Sequence, residues 1–203
     1  MRDFVIIAHK AVTKGDFSLN DMPGSAGRMD ILCRCINSSL FLSHDLRRDV
    51  QVHLVLLGDP DPGKIVRFDG EYIRYLNPDE RSAGSLIKKA LQKEAGERET
   101  RSTPGVFMRR GGLDTLLSEF SEKGRRFIYL HENGKDIREM PDLGDDAVFI
   151  LGDHVGVTEE EEQMIDEKGA ETISLGPIPL HADHCIILIN NEIDRAIAGK
   201  VPQ

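Results

Sequence analysis

Short unbroken apolar runs alternate with helically spaced apolar positions along this chain, and the pattern is sharpest in its last quarter. Ala147 to Leu151 is continuously apolar and stops at Gly152-Asp153-His154, as a strand buried on both faces does when it empties into a loop. Thr158, with Glu161 three residues on, predicts a capping box that opens a helix; Met164 and Ile165 give it an apolar side and Gly169 its stop. A second short strand is expected from Thr172 to Leu175. The dense segment SLGPIPLHADHCI, Ser174 to Ile186, then leads into a last helix whose Cys185, Ile189, Ile193, Ala196 and Ile197 share one face.

The earlier chain repeats the alternation. Phe4 to Ala8 reads as a strand and Lys10 to Gly27, rich in glycine and polar residues, as a loop. A helix from about Met29 to Leu42 follows, with Leu32, Cys33, Ile36 and Leu40 at helical spacing. Val50 to Leu57 is a strong strand pattern, and KIVRF-DG-EYIRYL after it predicts a hairpin turning at Asp69-Gly70. Asp79 to Lys93 reads as a helix, Glu94 to Gly112 as a long aperiodic loop, Leu113 to Phe120 as a short helix and Phe127 to Leu130 as a strand ending beside His131 and Glu132.

Composition narrows the class. At 203 residues the chain is long enough for one domain with a proper core; no apolar run approaches bilayer-spanning length and the first residues lack a signal-peptide core, so a cytosolic protein is expected. Three cysteines, Cys33, Cys35 and Cys185, without CxxC spacing, point to neither a disulfide framework nor a zinc site. The net charge of -9 is unevenly spread. Residues 1 to 126 hold 21 basic and 18 acidic residues, residues 127 to 203 hold 5 and 17, and within 81 to 126 the balance is 11 to 6, a local patch able to track phosphates or simply a solvated face.

Several chemistries fail on inspection. Gly58-Asp-Pro-Asp-Pro-Gly63-Lys64 copies the spacing of a phosphate-binding loop, but its prolines lack the cradling N–H groups, its aspartates repel phosphate and Ile65 stands where a hydroxyl is needed; it reads as a turn joining strands. His181, Asp183, His184 and Cys185 have no second cluster at ligand spacing, so no metal is expected, and Asp183 reads as a helix cap. No GxSxG elbow or GxGxxG fingerprint is present. The loops after Leu151 and Leu175 remain, where ligands of parallel sheets bind. Lys168 is the sole Lys or Arg between Arg138 and Arg195, so an adenosine-type ligand without phosphates, or the cationic S-adenosylmethionine, suits this region better than a nucleotide polyphosphate. At Gly27-Arg28-Met29-Asp30, arginine and carboxylate could hold an RNA phosphate and base edge, or form a local ion pair favoured by the helix dipole. An RNA methyltransferase and a non-catalytic adenosine-ligand binding protein both fit; polar material such as Arg28, Asp30 and the 94 to 112 loop favours the enzyme.

FILGDHVGV from Phe149, SLGPIPLHADHCI from Ser174 and GSAGRMDILCRCINSSLFLSH from Gly24 together resemble the archaeal tRNA pseudouridine-54 N1-methyltransferases of the SPOUT superfamily, nearly end to end. The resemblance implies one α/β domain with a mostly parallel sheet, helices on both faces and a C-terminal deep trefoil knot. Its Rossmann-like part would span about 1–126 and its knotted cofactor-binding part about 127–203. It implies S-adenosylmethionine held by Leu130, Gly152, Leu175, Gly176, Pro177, Ile178, Pro179, Leu180 and Cys185, with Arg28 and Asp30 presented to the target nucleotide of a tRNA, Asp30 as base. A related small-subunit ribosomal RNA enzyme is the alternative within the class. A homodimer is expected as well, because Cys185, Ile186, Leu188, Ile189, Ile193 and Ile197 form a stripe too broad for one-sided packing.

Overall fold

The computed structural model of the chain describes residues 1–140, 143, 144 and 146–200. In chain order the elements are β1 (Arg2–Ala8), α1 (Met22–Ser25), α2 (Met29–Leu40), β2 (Val50–Leu56), β3 (Lys64–Asp69), α3 (Glu80–Leu91), β4 (Thr100–Thr103), β5 (Val106–Arg110), α4 (Leu113–Glu122), β6 (Phe127–Asp136), β7 (Val148–Gly152), α5 (Glu159–Glu167), β8 (Glu171–Ser174) and α6 (Ala182–Lys200). The caps follow the sequence. The Asp79 carboxylate accepts from Ser82 N–H at the start of α3, and Thr158 and Glu161 form the expected reciprocal box at α5.

One eight-stranded sheet runs β4-β5-β3-β2-β1-β7-β6-β8, unbroken across the 126/127 boundary. The β2-β1-β7-β6-β8 portion is parallel throughout, and β3, β5 and β4 extend it antiparallel. Alternation along β1 assigns its two faces: Phe4, Ile6 and Ala8 pack in the core with α2, α3 and α6, while Val5 and Ile7 pack with residues of α4 and α5. Phe4 and Phe149, register partners on adjacent strands, stack at 5.5 Å on the first of these faces.

Two expectations are corrected. Glu94 to Gly112 is not a structureless loop, because Pro104-Gly105 turns it into the β4-β5 hairpin, with Gly105 at φ +75° and β5 pairing onto β3. Glu71 to Leu76 forms no strand; β3 finds its antiparallel partners in β2 and β5 instead, so the hairpin turns at 57–63 rather than at Asp69-Gly70. The last helix is also narrower in its buried face than expected. Ile186, Ile189 and Ile193 are buried, whereas Ala196 is exposed and Ile187, Leu188 and Ile197 are 50%, 36% and 43% exposed.

Polar contacts fix where α6 lies. Arg2, buried at the start of β1, donates to Asn190 Oδ1 (2.9 Å) and Asp49 Oδ2 (3.0 Å), and Arg47 grips Asp194 through Nη1 and Nη2. A buried guanidinium left without these partners would be costly, so they set the position of α6 and thereby of its N-terminus. Among the described residues no helix is long and apolar enough to cross a membrane.

Candidate functional site

The carboxyl ends of β7, β6 and β8 and the N-terminal turns of α2 and α6 enclose a cavity of about 540 Å³, within the range of small-molecule sites. Its apolar wall comes from Leu130, Leu151, Ile173, Leu175 and Leu180. One side is the Asp153–Gly156 turn. Asp153 N–H donates to Ile7 O (2.9 Å), and Glu161 both closes the α5 capping box and bonds His9 Nε2 at 3.0 Å, which anchors this wall to the end of β1.

The opposite side is built by a left-handed joint. Gly27 has φ +59° and a Cβ there would run into Lys10 O; Arg28 follows at φ +66°, ψ +35°, a conformation costing a non-glycine residue about 1–2 kcal/mol. The joint aims Arg28 into the cavity's edge. Its Nε and Nη2 donate to Asp30 Oδ1 (3.1 Å) and Oδ2 (3.0 Å), and Arg34, one helical turn on, donates to Asp30 Oδ2 and to Glu80 Oε1, each at 3.0 Å. Burial by itself would raise the Asp30 carboxyl, but hydrogen bonds from the two guanidiniums outweigh it and hold it below the usual carboxylate range. Asp30 is only 4% exposed and does not line the cavity.

The remaining polar lining holds four carboxylates, Glu132, Asp153, Glu162 and Asp183, beside His131, His154, His181, Tyr129 and Ser174. Tyr129 OH donates to Glu162 Oε1 at 2.7 Å, and burial together with that bond raises the phenol. The two cations present, Arg28 and Arg34, are already engaged with Asp30. Such a lining suits a ligand carrying positive charge and apolar surface and disfavours a pyrophosphate, which fits S-adenosylmethionine. Gly176 at φ +137° has open space where a side chain would be, so its backbone is approachable.

Of the residues expected at the cofactor, Leu130, Gly152, Leu175, Gly176, Pro179, Leu180 and Cys185 line the cavity, as does Arg28. Pro177 and Ile178 do not; both are exposed, Ile178 at 72%. The Cys185 thiol is pushed up to about 11 by burial and the nearby Asp183, so it stays neutral in ordinary buffers. Asp183 is corrected in role: it lies within α6 rather than capping it. Tyr129, Glu162 and Arg34 carry no motif in the sequence; the i, i+4 spacing of Asp30 and Arg34 is the one sequence signal for Arg34. Several cations of the basic 81 to 126 stretch are engaged internally: Arg109 with Glu119, Arg110 with Asp61 and Arg125 with Asp3, whereas Lys89, Lys93, Arg98 and Arg101 are exposed. Among the described residues no group of three or more His, Cys, Asp or Glu is arranged to hold a metal ion.

Residues 1–198 match the model of a family described as SAM-dependent RNA methyltransferases. A protein of Methanococcoides burtonii named tRNA (pseudouridine(54)-N(1))-methyltransferase is 80% identical over 200 residues, covering 98% of this chain and 99% of that one. One of the same name from Methanosarcina mazei is 65% identical over 204 residues, covering 100% and 96%. Among solved structures, Archaeoglobus fulgidus Nep1 bound to S-adenosylhomocysteine shares the fold, with a TM-score of 0.65 at 19% identity over 97% of this chain and 98% of that one.

Proposed function

The chain belongs to the family of SAM-dependent RNA methyltransferases, and on that premise we propose that it methylates N1 of the pseudouridine at position 54 of tRNA, using S-adenosylmethionine. The observation that carries the reading is 80% identity, over almost the whole chain, with a protein named for that activity. The cavity supports it from the other direction, being acidic, glycine-lined and free of phosphate-neutralising lysines. Transfer RNA is favoured over ribosomal RNA because the relatives of high identity are named for tRNA, while the likeness to Nep1 concerns the fold alone. A tRNA substrate agrees with a cytoplasmic protein.

When bound, S-adenosylmethionine supplies an electrophilic methyl group. The protein's own residues have two tasks, to hold the target nitrogen in line with that methyl and to help it lose its proton. Arg28, at the cavity edge and stiffened by Asp30, is suited to a phosphate or carbonyl of the target nucleotide. Asp30 spends both its oxygens on Arg28 and Arg34, so its part is to position Arg28 rather than to accept a proton. The cofactor lies along Leu130, Gly152, Leu175, Gly176, Pro179, Leu180 and Cys185.

The trefoil knot is part of the same reading. Leu130 and Lys135 both register on Ile173, and a Cβ on Gly134 would stand 2.6 Å from Ile173 Cα, so the second half of β6 bulges closely over β8; Arg138 then reaches Glu192 of α6 at 3.3 Å. The homodimer reading rests on the exposed Ile187, Leu188 and Ile197 of α6, apolar side chains that a second copy would cover. The test of function is direct: incubation with tRNA and S-adenosylmethionine followed by mass spectrometry of the nucleosides should yield N1-methylpseudouridine from position 54, and unmodified pseudouridine there would refute the proposal.

A further inference from the structure

Asp183 is the under-satisfied polar group of the cavity. It lines the cavity at the first turn of α6 and is 6% exposed, yet its Oδ1 is buried without a hydrogen-bond partner. Its Oδ2 stands 3.9 Å from Arg34 Nε and 3.7 Å from His184 Nε2, both beyond hydrogen-bond length. Leaving a buried acceptor unsatisfied costs about 1–3 kcal/mol, more when it is charged, and native proteins keep such groups where strain, catalysis or a bound water or ligand accounts for them. Asp30 offers the contrast, since both its oxygens are occupied by guanidiniums.

The position of Asp183 identifies which ligand brings that donor. Arg34 bridges it to Asp30, hence to the Arg28 side where the target nucleotide is placed, while Cys185 and Leu180 continue the wall on the cofactor side. Asp183 therefore stands at the seam between the two reactants. Pseudouridine presents there an N1–H where uridine, in the same ring orientation, presents a C–H.

On the reading of function given above, we propose that Asp183 accepts the N1–H of the target pseudouridine, both selecting that base over uridine and taking its proton during transfer. The step balances. The N1 proton passes to the Asp183 carboxylate, the nitrogen's electron pair forms the N–CH₃ bond, and the carbon–sulfur bond breaks with its pair staying on sulfur, so the sulfonium becomes the neutral thioether S-adenosylhomocysteine. Both tasks need only an acceptor with spare capacity, rotation about χ2 being able to exchange which oxygen faces the base.

Two variants separate the tasks. Asp183→Asn keeps a carbonyl acceptor but cannot take a proton; Asp183→Ala loses both. With S-adenosylhomocysteine bound, wild type should hold a pseudouridine-containing tRNA on the order of ten- to a hundredfold more tightly than the same tRNA with uridine. Asp183→Asn should keep most of that preference and Asp183→Ala should abolish it. In turnover, Asp183→Asn should lose about 10²–10⁴-fold, and its residual rate should climb about tenfold per pH unit as pseudouridine itself ionises, a dependence much weaker in wild type.

Charged and titratable groups around Asp183 are Arg34 and Cys35 of α2, Glu80 of α3 through Arg34, and His181, His184 and Cys185 beside it. His184→Gln, removing the ring nearest the carboxylate, should leave the shape of the wild-type profile intact. Full turnover with a wild-type pH profile in Asp183→Asn, or an undiminished pseudouridine preference in Asp183→Ala, would overturn the proposal. So would an Asp183→Asn defect confined to S-adenosylhomocysteine affinity, which would make Asp183 a cofactor ligand. Absence of methylation by wild type would instead defeat the reading of function on which this rests.

Discussion

Gly152→Ala tests how the cavity wall is held. A Cβ at this position would stand 2.5 Å from the Gly156 carbonyl oxygen and 2.7 Å from Gly156 Cα, so the 153–156 turn must retreat by about 1 Å to reach ordinary contact. The turn resists: Asp153 N–H is bonded to Ile7 O, Gly156 N–H to Asp153 O (3.2 Å) and Val155 N–H to Asp153 Oδ1 (2.8 Å). Overpacking of this kind costs about 1–3 kcal/mol, and at roughly 2–4 °C per kcal/mol for a chain of this size Tm should fall by about 2–12 °C. The displaced turn also lines the cavity proposed for the cofactor, so the Kd for S-adenosylhomocysteine should rise about tenfold or more, each factor of ten being ~1.4 kcal/mol. Gly169→Ala is the control: φ there is +71° with nothing within 4 Å, so strain should lower Tm while binding is unchanged. Calorimetric titration alongside thermal melts reads both quantities. A Gly152→Ala protein that binds as tightly as wild type would refute the reasoning.

Asp30→Asn should reduce turnover while leaving cofactor affinity within about twofold, and should cost about 1–3 kcal/mol of stability because two guanidiniums lose their anion. The carboxyl's folded pKa is depressed, so its stabilisation is present above the unfolded value near 4 and is lost as pH falls through the lower folded one; acid melts should show a shallower decline for Asp30→Asn. Ile187→Glu with Leu188→Glu should convert a dimer to a monomer in light scattering with the fold retained by circular dichroism, and an unaltered mass would place the interface elsewhere. Cys185, with its thiol pushed up to about 11, should resist alkylation at neutral pH and react as pH approaches that value, S-adenosylhomocysteine protecting it throughout; rapid labelling at pH 7 would count against its buried setting.

Much of the parallel half was legible because strands buried on both faces leave unbroken apolar runs such as Val148 to Leu151. The β4-β5 hairpin was not, since Thr100–Thr103 carries no apolar residue and Val106–Arg110 ends in two arginines, an edge-region pattern that resembles a loop unless Pro104-Gly105 is weighted as a turn. At the site, glycines and strand ends marked the cavity's place. The carboxylates were harder to see: Glu162 lies among four consecutive acidic residues at the start of α5 that read as a solvated face, and only the approach of Tyr129 from β6 distinguishes it. Asp183 is likewise an unremarkable first-turn acid in sequence, and its missing partner exists only in three dimensions.

The central claim, that this chain methylates N1 of a tRNA pseudouridine, depends on an atom that uridine lacks as an acceptor. Two tRNAs identical except for pseudouridine or uridine at position 54, each offered S-adenosylmethionine carrying a labelled methyl group, measure that dependence directly. The account predicts label in the pseudouridine tRNA, located at that nucleoside, and none above background in the other. Equal labelling of both, or label at any other nucleoside, would contradict it.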